Sequence, residues 1–304
     1  MKAKVKLWLK AARFRFHLLA VLPVLVGALI AYSKAGYFFI GNFIMSEFIT
    51  VSVLVAVIFA NDYADHDVDK ENHLYSILAG HTRATVEGRI AKRSMLFAAV
   101  LASSIAVIAA LSFVLFFGAD LSIIPLTLIG LFAGIEYSHA PFRIGHKPLG
   151  ELLIIVMYSF FSIFFGFSAQ GPGSRFVPEI FYLSVPVGIG IFLIILTAEI
   201  SDFDHDIKWK KYTLPTIFGK EKTLNIYFAG LLALYGSIVW LFFASVISKF
   251  TLTWILLSLP VGIYAGAHAI HKHKTLRKDA LNICGVTVIL YIWVNIMLAW
   301  NLLG

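Results

Sequence analysis

Two short segments of this sequence hold eight of its 17 acids. One reads Asn61-Asp62-Tyr63-Ala64-Asp65-His66-Asp67-Val68-Asp69, the other Glu199-Ile200-Ser201-Asp202-Phe203-Asp204-His205-Asp206. Shifted by 137 positions, Asp62, Asp65, Asp67 and Asp69 fall on Glu199, Asp202, Asp204 and Asp206, a weak internal repeat. On a helix, at about 100° per residue, Asn61, Asp62, Asp65 and Asp69 lie within an arc of about 100°, and Asp67 points about 140° away from Asp62. Glu199, Asp202 and Asp206 cluster in the same way, with Asp204 as the outlier. Each segment therefore presents a converging acidic face, which repels itself unless a hard cation relieves it. Magnesium takes oxygen ligands octahedrally and usually keeps positions for substrate phosphates beside one or two carboxylates. Two such faces opposed across a bundle could hold ions with a diphosphate between them. A solvated acidic helix end would explain either segment alone, but the matching register of the two argues against it.

The elements that position these acids are membrane helices. The 304 residues are 60% hydrophobic and 14% charged, with a mean hydropathy of +0.86; soluble domains carry roughly 25% charged residues. A span needs about 20 apolar residues. Nine such stretches can be read, near 16–33, 38–60, 94–117, 121–140, 149–170, 178–200, 223–247, 251–270 and 280–302. The sequence thus predicts an all-α bundle of about nine transmembrane helices, a single polytopic domain over residues 1–304. The basic stretch before Phe16 resembles the start of a signal peptide, but the run to Tyr32 is long for one, so a retained first helix is expected. Gly130-x-x-x-Gly134 would allow close helix packing and is given no functional weight at this level.

Charge tests the topology. The N-terminus and the loops after the second, fourth, sixth and eighth helices hold 22 of the 25 Lys and Arg; the other side holds only Lys34, Arg175 and Lys249. That bias places the N-terminus inside and the C-terminus outside. The formal net charge of +8 is accounted for by this topology, and no nucleic-acid partner is expected. The two long loops, about 62–93 and 201–222, lie on the inner side, each directly after an acid-ended helix. The single cysteine, Cys284, sits in a hydrophobic run and reads as packing.

With these motifs in view, the chain resembles the UbiA superfamily of intramembrane prenyltransferases. The family's N-D-x-x-D-x-x-x-D is matched by Asn61, Asp62, Asp65 and Asp69, and its D-x-x-x-D by Asp202 and Asp206. Lys211-Tyr212-Thr213-Leu214-Pro215-x-x-x-Gly219 resembles the stretch that follows the second motif. Two segments resemble the menaquinone branch: Tyr137-Ser138-His139-Ala140-Pro141-Phe142 leading to Lys147-x-Leu149-Gly150-Glu151, and Gly80-x-x-Arg83-x-x-x-x-Gly88-x-Ile90. Glu199 stands where relatives often have Asn-Asp.

The resemblance implies a magnesium-dependent transfer of a polyprenyl group from its diphosphate to an aromatic acceptor, a naphthoate in that branch, by a multi-pass protein of the cell membrane. It implies Asp65, Asp69, Asp202 and Asp206 as the catalytic acids, with Asn61, Asp62 and Glu199 joining them around Mg2+. Arg83, Arg143, Lys147 and Lys208 are expected to meet the diphosphate, and Tyr137 to orient it or shield the cationic carbon. A glycerol-phosphate ether lipid, 4-hydroxybenzoate or haem remain alternative acceptors. The rival from another class is a cation transporter, since intramembrane acids mark ion paths. Transport favours acids near the midplane on broken helices, whereas these sit at helix ends.

Overall fold

The computed structural model describes residues 2–71, 83–171, 176–271 and 277–304. Gly80, Arg175, Lys272 and Lys274, used above in the loop and charge readings, lie outside these. The chain is an all-helical membrane protein. Its elements run α1 (Lys2–Ala11), α2 (Leu18–Ala35), α3 (Ile40–Ala64), α4 (His66–Lys70), α5 (Lys92–Phe117) and α6 (Ile123–Glu136). There follow α7 (Gly150–Ala169), α8 (Pro178–Lys208), α9 (Leu214–Phe218) and α10 (Lys220–Phe243), then α11 (Lys249–Leu256), α12 (Leu259–His271) and α13 (Arg277–Asn301).

Hydrocarbon offers no hydrogen bonds, so a spanning segment must satisfy its own backbone, as these helices do. Among the described residues eight helical segments are long and apolar enough to cross a membrane, α11 and α12 together forming one of them. The ninth stretch read from sequence, 121–140, is shorter than expected. Its helix, α6, has 14 residues, about 21 Å of rise, against a hydrocarbon core of about 30 Å. The helix starts late because the carboxylate of Asp120 accepts from the Ser122 N–H at 2.8 Å, a local turn that competes with the helix. It stops early because Ser138 onward folds into turns leading to Pro141.

α1 was not expected from sequence. The basic N-terminal stretch forms a short helix whose Trp8 packs edge-on against Phe59 of α3, ring centroids 5.5 Å apart. Ala11 and Ala12 are buried in the same cluster, beside Ile90 and Met95.

Packing between α2 and α7 is backbone to backbone. A Cβ on Gly27 would lie 1.8 Å from the Ile163 carbonyl oxygen, and one on Gly166 would lie 2.0 Å from that of Val24. Small residues at such crossings are what membrane helices use in place of a hydrophobic driving force. α8 is central. It carries Leu183, Val187 and Ile191, which pack with Ile30 of α2, Ile163 of α7 and Val294 of α13. The Tyr291 hydroxyl donates to the Leu19 carbonyl at 2.5 Å, tying α13 to α2. Phe97, Leu115, Phe116 and Phe243 project outward, as lipid-facing residues should.

Candidate active site

The start of α2 and the ends of α3, α6 and α8 meet at one end of the bundle. There they enclose a cavity of about 370 Å³. Asn61, Asp65 and Asp69 line it from the first motif, and Glu199, Asp202 and Asp206 from the second. Arg13, Tyr137, Ser138, His146, His205 and Lys211 complete its polar wall. α3 ends at Ala64, yet the helical path continues through the turn at Asp65: the Asp65 N–H donates to Asn61 O at 2.8 Å, and the Asp69 N–H to Asp65 O at 2.7 Å. That continuity keeps Asn61, Asp65 and Asp69 on one face.

The two acids read as outliers face water. Asp67 is 78% exposed and pairs with Lys92 at 3.3 Å; Asp204 is 75% exposed and pairs with Lys220 at 3.4 Å. Asp62, by contrast, is buried and forms an ion pair with Arg13, and it is not among the lining residues.

The bases sort differently from the sequence reading. Arg143 and Lys147 are exposed and outside the cavity lining. Lys208 is 62% exposed and pairs with Glu71 at 2.6 Å. Arg83 donates from its guanidinium to the Asp69 carbonyl at 2.9 Å, which places it beside the first motif through the backbone. The base that reaches the second motif is Lys211, which is half-buried. The chain reverses after α8, the Lys211 N–H donating to Asp206 O at 2.9 Å, and this brings the ammonium 3.7 Å from Asp206 Oδ2. Burial pulls the Lys211 pKa down, but Asp206, Tyr137, Glu199 and Asp202 outweigh it and hold the ammonium above the usual lysine range. Lys211 stood within the stretch resembling the family, but three lysines in four residues gave no sign of which one turns inward. Arg13 was hidden in a basic stretch explained by topology.

Asp65 is pushed up to about 6, chiefly by burial and then by Asp69, with Ser138 and Lys211 opposing. Burial likewise raises the Tyr137 phenol against the pull of Lys211. His146 is lowered, by burial first and then by Lys211 and Arg143, so its ring is neutral at pH 7. Glu151 accepts from the Leu214 N–H at 2.7 Å, fixing the start of α9.

Three buried oxygens of this set, Asn61 Oδ1, Glu199 Oε2 and Asp206 Oδ2, have no hydrogen-bond partner. The 3.7 Å approach of Lys211 to Asp206 is an ion-pair distance, too long for a hydrogen bond. Buried polar atoms are ordinarily satisfied, and exceptions point to an unseen partner. Among the described residues no three carboxylates or imidazoles form a ready-made ion cage. Magnesium is usually held by one or two carboxylates with phosphate and water completing its shell, so this open set of oxygen donors fits it.

The polar cavity continues into a second, apolar one of about 200 Å³. Leu54, Val57, Asn61, Tyr137, Ile154 and Tyr158 line both. Met157, Tyr158 and Phe161 project from a π-helical turn, Met157–Phe161, within α7. Such turns are frequent at functional sites. Nothing in the hydropathy of 149–170 signals it.

The model of the UbiA prenyltransferase family matches residues 20–300. The chain belongs to that family. It is 23% identical over 202 residues to 2-carboxy-1,4-naphthoquinone phytyltransferase of Synechocystis sp., a match covering 66% of this chain and 62% of that protein's length. It is 22% identical over 276 residues to the chloroplastic phytyltransferase of the same name in Arabidopsis thaliana, covering 89% of this chain and 70% of that protein. Its fold is shared with a UbiA homolog from Aeropyrum pernix K1, with TM-score 0.71, 19% identity and coverage of 94% and 97% of the two chains. It is shared also with a UbiA homolog from Archaeoglobus fulgidus bound to DMAPP and Mg2+, with TM-score 0.65, 15% identity and coverage of 96% and 99%.

Proposed function

We propose that this protein transfers a polyprenyl group from a prenyl diphosphate to an aromatic acceptor within the cell membrane, in a magnesium-dependent reaction, the acceptor being a naphthoate of the 1,4-dihydroxy-2-naphthoate type. The observation that carries this reading is the pairing of cavities. Two acidic helix ends and a half-buried lysine face one polar chamber, and that chamber opens directly into an apolar one within the bundle. A diphosphate fits the first and an isoprenoid tail the second; an ion path has no use for a second chamber with apolar walls.

Bound magnesium would supply Lewis-acid neutralisation of the departing diphosphate, held by Asp65, Asp69, Asp202 and Asp206 with Asn61 and Glu199. Lys211 and Arg13 add fixed positive charge where the bridging oxygen gains electrons. Arg83 steadies the backbone at Asp69. Cleavage of the allylic C–O bond leaves positive character on the prenyl carbon at the junction of the chambers. There the rings of Tyr137 and Tyr158 and the side chains of Leu54, Val57 and Ile154 exclude water. The acceptor ring attacks that carbon and then loses a proton.

The naphthoate assignment rests on the likeness to the two 2-carboxy-1,4-naphthoquinone phytyltransferases and on the Tyr137–Pro141 and Leu149–Glu151 segments. Detergent-purified protein, radiolabelled prenyl diphosphate, Mg2+ and a panel of acceptors test it. Label should move to 1,4-dihydroxy-2-naphthoate and stop on adding EDTA. Full turnover in metal-free protein would overturn the metal-diphosphate reading. Transfer to a glycerol phosphate with naphthoate inert would overturn the acceptor.

A further inference from the structure

The Gly130-x-x-x-Gly134 pair on α6 divides into two different uses. A Cβ on Gly134 would lie 2.3 Å from Val57 Cγ2, so close packing of α6 on α3 requires that glycine. Gly130, one turn away, is under no such demand. A Cβ there would meet Val53 at 3.6 Å and Phe161 at 3.7 Å, ordinary contacts. Glycine in a helix interior is less favourable than alanine, and here no packing contact explains it.

What Gly130 faces is the apolar cavity, between Val53 and Phe161, which also line it. Two helices place it along the same axis. On α6, Tyr137 stands at the mouth, Gly130 about 10 Å deeper, and Leu126 about 6 Å beyond that. On α3, Asn61 stands at the mouth, Val53 about 12 Å deeper and Ile49 about 18 Å deeper. Ile49, Leu126 and Phe165 close the floor, each nearly inaccessible and backed by Phe113 and Ile123. Gly130 is therefore a point on this path where α6 contributes no side chain, between the mouth and the floor.

We propose that Gly130 is the residue that determines how long an isoprenoid tail the cavity admits. This rests on the proposed function, since it takes the tail to enter from the diphosphate chamber. A missing side chain at this depth leaves room for the tail to pass between Val53 and Phe161. A branched side chain would stop it there, and short donors would end above the block.

The test is a donor-length profile with dimethylallyl, geranyl and geranylgeranyl diphosphates, read both as kcat/KM and as thermal stabilisation. In Gly130→Leu the ratio of kcat/KM for the geranylgeranyl over the dimethylallyl donor should fall at least about tenfold relative to wild type, the scale set by a pocket that excludes even one methylene. Gly130→Ala should shift the ratio the same way by a smaller factor. Leu126→Ala, which deepens the floor, should shift it the opposite way. A folded Gly130→Leu protein with the wild-type profile would overturn the inference. Should that variant not fold, an unshifted ratio in Gly130→Ala, whose added carbon meets only ordinary contacts, would do so. Wild-type protein that neither binds nor turns over any prenyl diphosphate would defeat the proposed function itself, a different result from an unmoved profile in an active enzyme.

Discussion

Replacing Asp65 by asparagine should make the metal-free protein more stable while removing most of its activity. The carboxyl titrates at about 6 in the folded chain, raised chiefly by burial, against an ordinary value of 3.8. A group whose folded pKa lies above its unfolded value penalises the folded state once ionised. The penalty is absent below about pH 4, grows as pH rises to about 6, and is complete above that. About 1.36 kcal/mol per pH unit over this window gives about 3 kcal/mol; water entering the cavity reduces it, so about 1–3 kcal/mol is expected. Asparagine keeps the shape without the charge. In detergent with EDTA at pH 7.5, Asp65→Asn should therefore melt above wild type, and the gap should narrow at pH 5. With Mg2+ and a prenyl diphosphate the order should reverse, because bound ligand stabilises the form that holds it and the wild type holds it better. A variant that melts below wild type in EDTA would refute the idea that Asp65 is an uncompensated charge. Equal ligand stabilisation of both proteins would refute its place at the metal.

Helical phase separates acids of equal charge: Asp202→Asn should lose most turnover, whereas Asp67→Asn and Asp204→Asn, which remove exposed carboxylates held by Lys92 and Lys220, should keep most of theirs. Steady-state rates of the three folded variants check this, and equal losses in all three would show that every acid of both motifs is used. Lys211→Met should cost both activity and stability, since it leaves Asp206 buried without its cation; removing one partner of a buried pair costs about 3–5 kcal/mol. Thermal unfolding reads the stability loss, and an unchanged melting temperature would mean that water already compensates Asp206.

The helices were legible because hydropathy and charge alternate along the chain, and eight of the nine expected stretches form segments long and apolar enough to span, the one near 251–270 as the broken pair α11 and α12. α6 fell short because Asp120 and the turns after Glu136 bound it, a matter of local hydrogen bonding that hydropathy does not carry. The acidic faces were legible because a helix fixes phase: Asp67 and Asp204 stand out in water as their positions require. Bases were not legible. Lys208 and Lys211 look alike in sequence, and only the reversal of the chain after α8 turns Lys211 inward. Asp62 was grouped with the convergent acids by phase, yet Arg13, 49 positions away, captures it, a pairing set by tertiary contact. The apolar chamber was invisible because its walls read as ordinary membrane helix.

The charge balance of the polar chamber bears on the order of events. Asp65, Asp69, Glu199, Asp202 and Asp206 line it against Arg13 and Lys211, a net of three negative charges with all groups ionised, and Arg13 is already engaged by Asp62. A diphosphate entering alone would add anions to an anionic site of low dielectric, where like charges interact strongly. Cations entering alone would relieve the acids but lack the phosphate oxygens that complete their shells. Each ligand therefore removes the obstacle to the other. Such coupling is reciprocal: whatever factor Mg2+ contributes to the affinity for the prenyl diphosphate, the diphosphate must contribute to the affinity for Mg2+. The two-chamber architecture adds a length-dependent term to the donor side alone, because the tail contacts the walls beyond Asn61 and Tyr137 and the cations do not. Lengthening the donor within the limit set by the floor should then strengthen donor binding without altering the coupling factor.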